Sequence, residues 1–213
     1  MPVSDPKLAL RAQLARRVRS LIVMQTLAPG SHINESKLSV ELGVSRTPLR
    51  EALASLEAER FVRSERDRGF FVTNLSTDEI RQIYPIGREL DLLALRSTLH
   101  FPDATIEELR SLNESFSDAK SDAEKARLID TRFHRRLIGS CRNERLLHIM
   151  DSVQASMERY ERIYMGDQRD LTRSAKQHAA IIDAIEADEV EAAAAILAQH
   201  WNYGYERLLA TFE

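Results

Sequence analysis

The apolar positions of the first forty-five residues follow helical spacing in two successive segments. From Leu8 to Met24 apolar side chains recur every three or four residues, and Ala28-Pro29-Gly30 ends the run with a turn. Asn34 is a good N-cap for a second, short helix, and Gly43 is a natural end for it because a positive φ costs glycine little. Two helices, the second barely two turns long, are therefore predicted.

A third helix and a β-hairpin are predicted next. Ser45 suits an N-cap, Pro48 lies in the first turn where no backbone donor is lost, and Leu49, Leu53 and Leu56 form one apolar stripe. The segments 61–63 and 70–72 have the composition of short strands, joined by a polar turn that contains Arg66 and Arg68. The order predicts a helix-turn-helix followed by a β wing.

From Ser76 onward glycine and proline become scarce and helix starts recur. Four pairs have the spacing of a capping box or a similar start: Ser76 with Glu79, Thr105 with Glu108, Ser121 with Glu124, and Asp188 with Glu191. Helices are predicted near residues 77–99, 105–119, 122–140, 143–165, 171–187 and 189–211. Their short connections favour an antiparallel bundle that buries Leu90, Leu93, Leu109, Leu112, Leu137, Leu146 and Ile181.

The predicted fold class is mainly α with two domains. Residues 1–75 form a winged helix-turn-helix domain with a small β wing, and residues 76–213 form an all-α antiparallel helical bundle. In a winged helix the second helix of the motif enters the major groove by its N-terminal end. Ser45, Arg46, Thr47 and Arg50 lie there, and the two arginines, four residues apart, share the face opposite the leucines.

The charge distribution supports a polyanion partner for the first domain alone. Residues 1–73 hold twelve Lys/Arg against eight Asp/Glu, whereas the remainder holds eighteen against twenty-five, so the net charge of −3 hides a basic first third. The sequence also lacks a membrane-length apolar run and a secretory leader, and Cys141 is its single cysteine, so we expect a cytoplasmic protein without a membrane association.

The second domain contains a candidate metal centre. Asp130 and His134 are four residues apart and project from one helix face. His178 and His200 lie on consecutive helices at similar distances from the turn near Asp188, so an antiparallel hairpin brings them level. One carboxylate and three imidazoles suit a divalent transition metal, Zn²⁺ first, with Ni²⁺ or Mn²⁺ as alternatives.

The segment Leu-Gly-Val-Ser-Arg-Thr-Pro-Leu-Arg-Glu-Ala-Leu at 42–53 resembles the recognition-helix signature of GntR-family transcription regulators. The preceding Ala-Pro-Gly-Ser and the later Arg-Gly-Phe-Phe-Val extend the resemblance over residues 8–73. It implies that Arg46 and Arg50 contact bases and phosphates, that Ser45 and Thr47 contact the DNA backbone, and that Gly69 lies at the wing tip in the minor groove. Arg68 is a further candidate wing contact.

The second domain resembles the FCD effector domain of the FadR-like branch of that family. The resemblance rests on Asp-Thr-Arg-Phe-His-Arg-Arg-Leu at 130–137, His178-Ala-Ala-Ile-Ile-Asp-Ala-Ile and Ala-Gln-His200. It implies that a small carboxylate or sugar acid binds at the metal, assisted by an arginine from the first helix of the domain. The usual position of that arginine is Gly87 here, which leaves Arg81 and Arg88 as candidates.

These observations predict a dimeric regulator, a repressor released by its ligand, that binds a palindromic operator. Two alternatives remain open. A metalloenzyme could use the same centre to activate water, but the chain lacks HExxH, a nucleophile elbow and a glycine-rich phosphate loop, so no enzyme is predicted. A purely structural zinc without an effector is the other alternative.

Overall fold

The computed structural model describes residues 6–119, 122–164 and 171–212 and divides the chain into two compact units, Met1–Leu75 and Ser76–Glu213. The first contains three helices and a two-stranded antiparallel sheet, and the described part of the second is helical. The predicted fold class, a winged helix-turn-helix with an α-helical bundle, is confirmed.

The first unit follows the predicted order of elements. Their bounds are α1 Pro6–Val23, α2 Glu35–Leu42, α3 Arg46–Ala58, β1 Val62–Glu65 and β2 Gly69–Val72. Asn34 caps α2 by accepting a hydrogen bond from the Lys37 amide at 2.9 Å, and Gly43 ends it at φ +70°. Ser45 occupies the N-cap of α3, but its side chain makes no capping hydrogen bond.

The core of the first unit joins the face of α1 to the leucine stripe of α3. α1 packs on α3, and the wing strands pair from Val62 opposite Val72 to Glu65 opposite Gly69. His32 forms an isolated antiparallel bridge with Phe71, which ties the segment before α2 to the wing. The buried side chains include Leu14, Val18, Ile22, Leu49, Leu53, Leu56 and Phe61.

The second unit contains six described helices. Their bounds are α4 Thr77–Arg96, α5 Asp103–Asp118, α6 Ala123–Ile138, α7 Glu144–Tyr164, α8 Leu171–Glu186 and α9 Val190–Phe212. α8 and α9 pack as an antiparallel hairpin, α5 packs on α6 and α8, and α4 packs on α7 and α9. The main core includes Leu95, Leu109, Phe133, Leu137, Ile181 and Leu197.

The predicted helix starts are only partly right. Ser76 caps α4 by accepting from the Glu79 amide at 3.1 Å, as predicted. Thr105 lies inside α5, two residues beyond its start, and Asp188 ends α8 at φ +59° instead of capping α9, because aspartate tolerates the left-handed region better than most residues. Ser121 and residue 165 lie outside the described residues, and α6 is capped by Asp122.

The burial prediction fails at one leucine. Leu109, Leu137, Leu146 and Ile181 are buried, and Leu90 and Leu112 are partly buried against neighbouring clusters. Leu93 is 50% exposed, because it lies on the face of α4 that no described helix covers. Among the described residues, no helix is both long enough and apolar enough to cross a bilayer.

Candidate DNA-reading surface and candidate metal centre

The N-terminal end of α3 presents a small cationic surface. Ser45, Arg46, Thr47 and Arg50 are all exposed, and the side chains of the two arginines keep 61% and 60% of their accessible area. Leu49 and Leu53 on the opposite face are fully buried, so packing fixes the direction in which the arginines project. This is the arrangement that a helix needs to enter a major groove.

Glu35, on the first turn of α2, restrains both arginines. Its Oε2 lies 3.9 Å from Arg46 Nη2 and 3.5 Å from Arg50 Nε, and its side chain is only 10% exposed. A carboxylate so placed counters the repulsion between two neighbouring guanidinium groups and limits their rotamers. Sequence analysis did not single out Glu35, because its role depends on the approach of α2 to α3.

The wing lies beside this carboxylate. Gly69 begins β2 at φ +84°, and a Cβ added there would lie 3.4 Å from His32 Nε2 and 3.5 Å from Glu35 Oε1. Arg68 donates to Glu65 and lies over the Phe71 ring at 5.1 Å, while its side chain remains 67% exposed. The left-handed backbone of Gly69 therefore opposes a larger residue, whereas the space around it would admit a Cβ in ordinary contact.

The candidate metal ligands come from three helices. Asp130 and His134 project from α6, His178 from α8 and His200 from α9. One potential ligand atom of each lies within 4.8 Å of the others. His134 Nε2 is 3.3 Å from His200 Nε2, and His178 Nε2 is 3.5 Å from Asp130 Oδ1. The three helices therefore bring all four predicted residues together.

Several polar atoms of this cluster are buried without a hydrogen-bond partner. Asp130 Oδ1 and both ring nitrogens of His178 are in this condition. Leaving a buried polar atom unsatisfied costs about 1–3 kcal/mol. Folded proteins satisfy most such atoms, so the orphaned atoms indicate that the cluster is built for a partner that supplies positive charge.

Neighbouring side chains orient the imidazoles. His200 Nδ1 lies 3.1 Å from Gln177 Oε1, so it donates there and leaves Nε2 facing the cluster. His134 Nδ1 lies 3.7 Å from Asp91 Oδ2, which is an ion-pair distance rather than a hydrogen bond, and this buried carboxylate accepts from Trp201 Nε1 at 3.1 Å. Outer carboxylates and amides of this kind fix the tautomer of metal-binding histidines.

Two of the imidazoles, those of His178 and His200, are neutral because their pKa values are lowered. Burial lowers the pKa of His178 well below its ordinary value, and burial with the neighbouring His134 and Arg173 lowers that of His200 to about 3. Burial opposes protonation of His134, but the neighbouring Asp91 and Asp130 carboxylates outweigh this and raise its pKa. Burial raises the pKa of Asp130. Neutral imidazoles carry the lone pairs that a metal binds.

The residues therefore fit a divalent transition metal. Three imidazole nitrogens and one carboxylate oxygen are a donor set that Zn²⁺, Ni²⁺ and Mn²⁺ accept, and the ion would satisfy Asp130 Oδ1 and one ring nitrogen of His178. His178, fully buried, stacks on Phe133 with ring centroids 3.9 Å apart, which restricts its orientation. The cluster could bind a metal.

A cavity of about 100 Å³ opens beside the cluster. Asp130, His134 and His200 contribute to its wall. The rest of the wall combines aromatic and acidic side chains with other, uncharged residues, and consists of Tyr84, Asp91, Thr131, Gln154, Met157, Glu158, Glu161, Ser174, Trp201, Tyr203 and Gly204. The cavity is large enough for a small organic acid next to the candidate metal ligands.

Neither candidate arginine from α4 lines this cavity. Arg81 lies 3.4 Å from Asp78, and Arg88 donates to Asn202 at 3.0 Å and pairs with Glu89 at 3.1 Å. At Gly87 an added Cβ would lie 2.7 Å from Met157 Sδ and 3.2 Å from a Trp201 ring carbon. At the position that the family resemblance gives to an arginine, methionine and tryptophan side chains thus lie against the glycine.

Burial and neighbouring acids also act on Glu161, a wall residue that sequence analysis missed. Burial and the Asp130 and Glu158 charges raise its pKa to about 7. Nothing in the α7 sequence distinguishes Glu161 from nearby surface acids, because its environment is made by α6 and α9. The same holds for Asp91, whose contacts come from His134 and Trp201.

An exposed cationic helix end with a β wing, followed by a helical bundle that contains a cavity, is typical of a DNA-binding regulator of the winged helix class. The family comparisons agree. The model of "Bacterial regulatory proteins, gntR family" matches residues 10–72, and that of the FCD domain matches residues 82–203. The chain belongs to the GntR family of bacterial regulatory proteins and contains an FCD domain.

Individual relatives extend over nearly the whole chain. An uncharacterized HTH-type transcriptional regulator, YdhC of Bacillus subtilis (strain 168), is 30% identical over 94% of this chain and 92% of its own. The Nta operon transcriptional regulator of Aminobacter aminovorans is 32% identical over 85% and 86%. The galactonate operon transcriptional repressor of Escherichia coli (strain K12) is 26% identical over 81% and 85%.

A solved structure shares the fold. E. coli McbR/YncC superposes with a TM-score of 0.81 at 20% identity, over 96% of this chain and 99% of that one. The chain is accordingly a DNA-binding transcription regulator, and its relatives are regulators rather than enzymes, in agreement with the sequence-based prediction.

Proposed function

We propose that this protein is a ligand-released repressor that binds a palindromic operator as a homodimer. The observation that carries the proposal is the Asp130, His134, His178 and His200 cluster, which opens onto a cavity in the FCD domain. The winged helix domain, residues 1–75, binds the operator. Residues 76–213 bind the effector and form the dimer.

Operator binding rests on the surface at the start of α3. Arg46 and Arg50 contact base edges and phosphates, Ser45 and Thr47 contact the DNA backbone, and Arg68 and Gly69 bring the wing to the minor groove. The exposure of both α3 arginines and their restraint by Glu35 support these roles, because a preorganised guanidinium loses less freedom on binding.

Effector binding rests on the metal centre. Asp130, His134, His178 and His200 hold one divalent ion, Zn²⁺ foremost, which supplies an electrophilic binding point for the carboxylate of a small effector. The cavity beside the cluster supports this, since it gives such a molecule a place next to the candidate ligands. The name of the galactonate operon relative, which refers to a sugar acid, is consistent with a carboxylate.

Dimer formation rests on an apolar surface of the bundle. Ile86 and Leu93 lie seven residues apart on one face of α4 and are 52% and 50% exposed, and Ile149 on the adjoining α7 is 47% exposed. Exposed large apolar side chains on neighbouring helices favour a protein interface. A two-fold dimer would set the separation of its recognition helices, and the effector would change that separation with a coupling of about 1–3 kcal/mol.

The experiment is an operator titration under controlled metal content. Duplexes selected by the protein from a random pool supply the operator, and affinity is then measured with zinc-loaded and zinc-stripped protein across a series of small carboxylates. At least one carboxylate is expected to weaken operator binding by zinc-loaded protein about tenfold, with no effect on a His178→Ala variant. Operator affinity that no carboxylate alters in the presence of zinc would contradict the effector role.

A further inference from the structure

The wall of the effector cavity has an unusual charge pattern. Besides the candidate ligand Asp130, it contains the carboxylates of Asp91, Glu158 and Glu161, and among its described residues there is no lysine or arginine. A cavity made only for a carboxylate is expected to present a cationic side chain as well as the metal. The wall of this one presents acids instead, and the nearby Arg173 lies over the ring of the wall residue Tyr203 with its guanidinium carbon 3.7 Å from the ring centroid.

Two of these acids already have partners. Asp91 accepts a hydrogen bond from Trp201 Nε1 at 3.1 Å and faces His134. Glu158 pairs with Arg135 at 3.0 Å. Both carboxylates therefore already have a donor among the protein's own side chains.

Glu161 differs from both. Within the described parts of the chain no hydrogen bond or ion pair to its carboxylate is found, although it is partly buried on the cavity wall. Protonated His134 and Arg127 both act on it electrostatically, but His134 is a candidate metal ligand and the guanidinium of Arg127 directs two hydrogen bonds of 3.0 Å to Glu124. A shielded carboxylate without a partner favours a cation brought by a ligand.

The contacts at Gly87 bear on the lack of a lysine or arginine in the described wall of the cavity. A Cβ at residue 87 would lie 2.7 Å from Met157 Sδ and 3.2 Å from the Trp201 ring, so a larger residue there would have to displace the end of the Met157 side chain to reach the cavity. Met157 and Trp201 also line the cavity with apolar and aromatic surface. Tyr84 and Trp201 meet edge to face with ring centroids 6.0 Å apart, and aromatic rings attract cationic nitrogen.

A cation on the effector would therefore improve the charge balance of the cavity. A divalent ion is neutralised by Asp130 together with the effector carboxylate, while Asp91 and Glu158 have their own partners. The charge on Glu161 remains. An ammonium group on the effector would meet it directly, in a partly desolvated site where such a pair is stronger than in water.

We propose that the effector is a small zwitterion, whose carboxylate binds at the metal centre and whose cationic nitrogen lies against Glu161 on the α7 side of the cavity. The inference rests on the proposed function, since it needs the metal centre to bind the carboxylate. It assigns Glu161 as the residue that distinguishes amine-bearing acids from simple acids.

The experiment uses matched pairs of probes on the zinc-loaded full-length protein. β-Alanine, γ-aminobutyrate and 5-aminovalerate are compared with propionate, butyrate and valerate, with succinate and glutarate as diacids. Dissociation constants come from isothermal titration calorimetry, and zinc content is measured on the same samples. At least one amino acid is expected to bind at least tenfold more tightly than its amine-free counterpart, a difference of about 1.4 kcal/mol.

Variants identify the residue responsible. Glu161→Gln is expected to reduce the preference for the amine to threefold or less. Glu107→Gln, at an exposed position on α5, is the matched control and should keep the preference. Circular dichroism verifies that both variants are folded.

The outcomes separate this inference from the function on which it rests. Tighter or equal binding of the simple acids or diacids, no binding by any amino acid, or an undiminished preference in Glu161→Gln would each overturn the zwitterion assignment. Protein that retains zinc and is released from its operator by a simple acid keeps the proposed function and loses only this inference. Protein that binds no zinc under any loading condition loses the proposed function itself.

Discussion

The two units of this protein use charge in opposite ways. In the first unit Arg46 and Arg50 stand exposed on a rigid helix, and Glu35 restrains them. In the second, Asp130 and His178 are turned inward and leave polar atoms without partners. Water solvates an exposed charge whether or not a ligand is bound. A buried polar atom has no such solvation, so without a partner it costs the folded state free energy. We therefore expect the absence of a ligand to cost the second unit more stability.

The largest expected effect is on the second unit when the metal is removed. Chelation with EDTA should lower the free energy of unfolding of zinc-loaded protein, because the ion binds only the folded cluster. The expected loss is about 4 kcal/mol when the free zinc concentration before chelation is a thousandfold above the dissociation constant. Differential scanning calorimetry with and without chelator measures the change.

The matched control is His148→Ala, which removes an exposed histidine far in sequence from the ligand set. It should respond to EDTA as the wild type does, whereas His200→Ala should show almost no response. If EDTA lowered the stability of His200→Ala as much as that of the wild type, its effect would not come from a metal in the cluster.

The next largest effect concerns the first unit. Arg50→Ala should weaken operator binding by about 1–3 kcal/mol, or roughly 5- to 150-fold, while leaving the fold intact, because the side chain is exposed. Fluorescence anisotropy at fixed salt measures the affinity. Arg142→Ala, an exposed arginine of the second unit, should bind the operator as tightly as wild type. Unchanged affinity in Arg50→Ala would refute the assignment of α3 as the reading helix.

A smaller effect depends on pH and belongs to the cavity. Burial and neighbouring acids raise the pKa of Glu161 to about 7, above its ordinary value of 4.5, so the folded state binds this proton more readily than the unfolded state does. The carboxylate thus destabilises the metal-free protein above pH 7, and this cost disappears as the pH falls from 7 toward 4.5.

Glu161→Gln should therefore stabilise the metal-free protein at pH 8 by about 1–2 kcal/mol and change it little at pH 5. Urea denaturation at both pH values measures the difference, with Glu107→Gln as the control. A stabilisation of equal size at pH 8 and pH 5 would show that the carboxylate is not perturbed in the folded state.

The smallest effect tests the restraint on the reading arginines. Glu35→Gln removes the charge that Arg46 and Arg50 share, so binding to random DNA should tighten while operator binding gains less. The ratio of the two affinities is expected to fall about threefold, a change below 1 kcal/mol. Glu41→Gln, on the same helix, should preserve the ratio, and a preserved ratio in Glu35→Gln would mean that the restraint has no effect on specificity.

The first unit could be predicted closely because its signals are local. The cap at Asn34, the turn at Gly43 and the leucine stripe lie within single segments, and their structures follow from backbone preferences. The helix starts predicted at Thr105 and Asp188 were wrong because the capping pattern is short and also occurs inside helices and at their ends. The predicted burial of Leu93 was wrong because helical spacing shows that a helix face is apolar but does not show which element covers that face.

The candidate metal centre was predictable for a different reason. The four-residue spacing of Asp130 and His134 and the hairpin of α8 and α9 translate sequence distance into spatial proximity, and the structure places their ligand atoms within 4.8 Å. Asp91 and Glu161 could not be found in this way. Their importance comes from helices distant in sequence, which only the packed bundle brings together.

The most direct test of the central claim is elemental analysis by mass spectrometry of the purified protein beside His178→Ala. His178 is fully buried in the cluster and donates to no described residue, so its loss should remove a metal ligand and little else of the network. The proposed function predicts about one transition metal per chain in the wild type and almost none in the variant. Absence of metal from both proteins after incubation with Zn²⁺, Ni²⁺ and Mn²⁺ would contradict it.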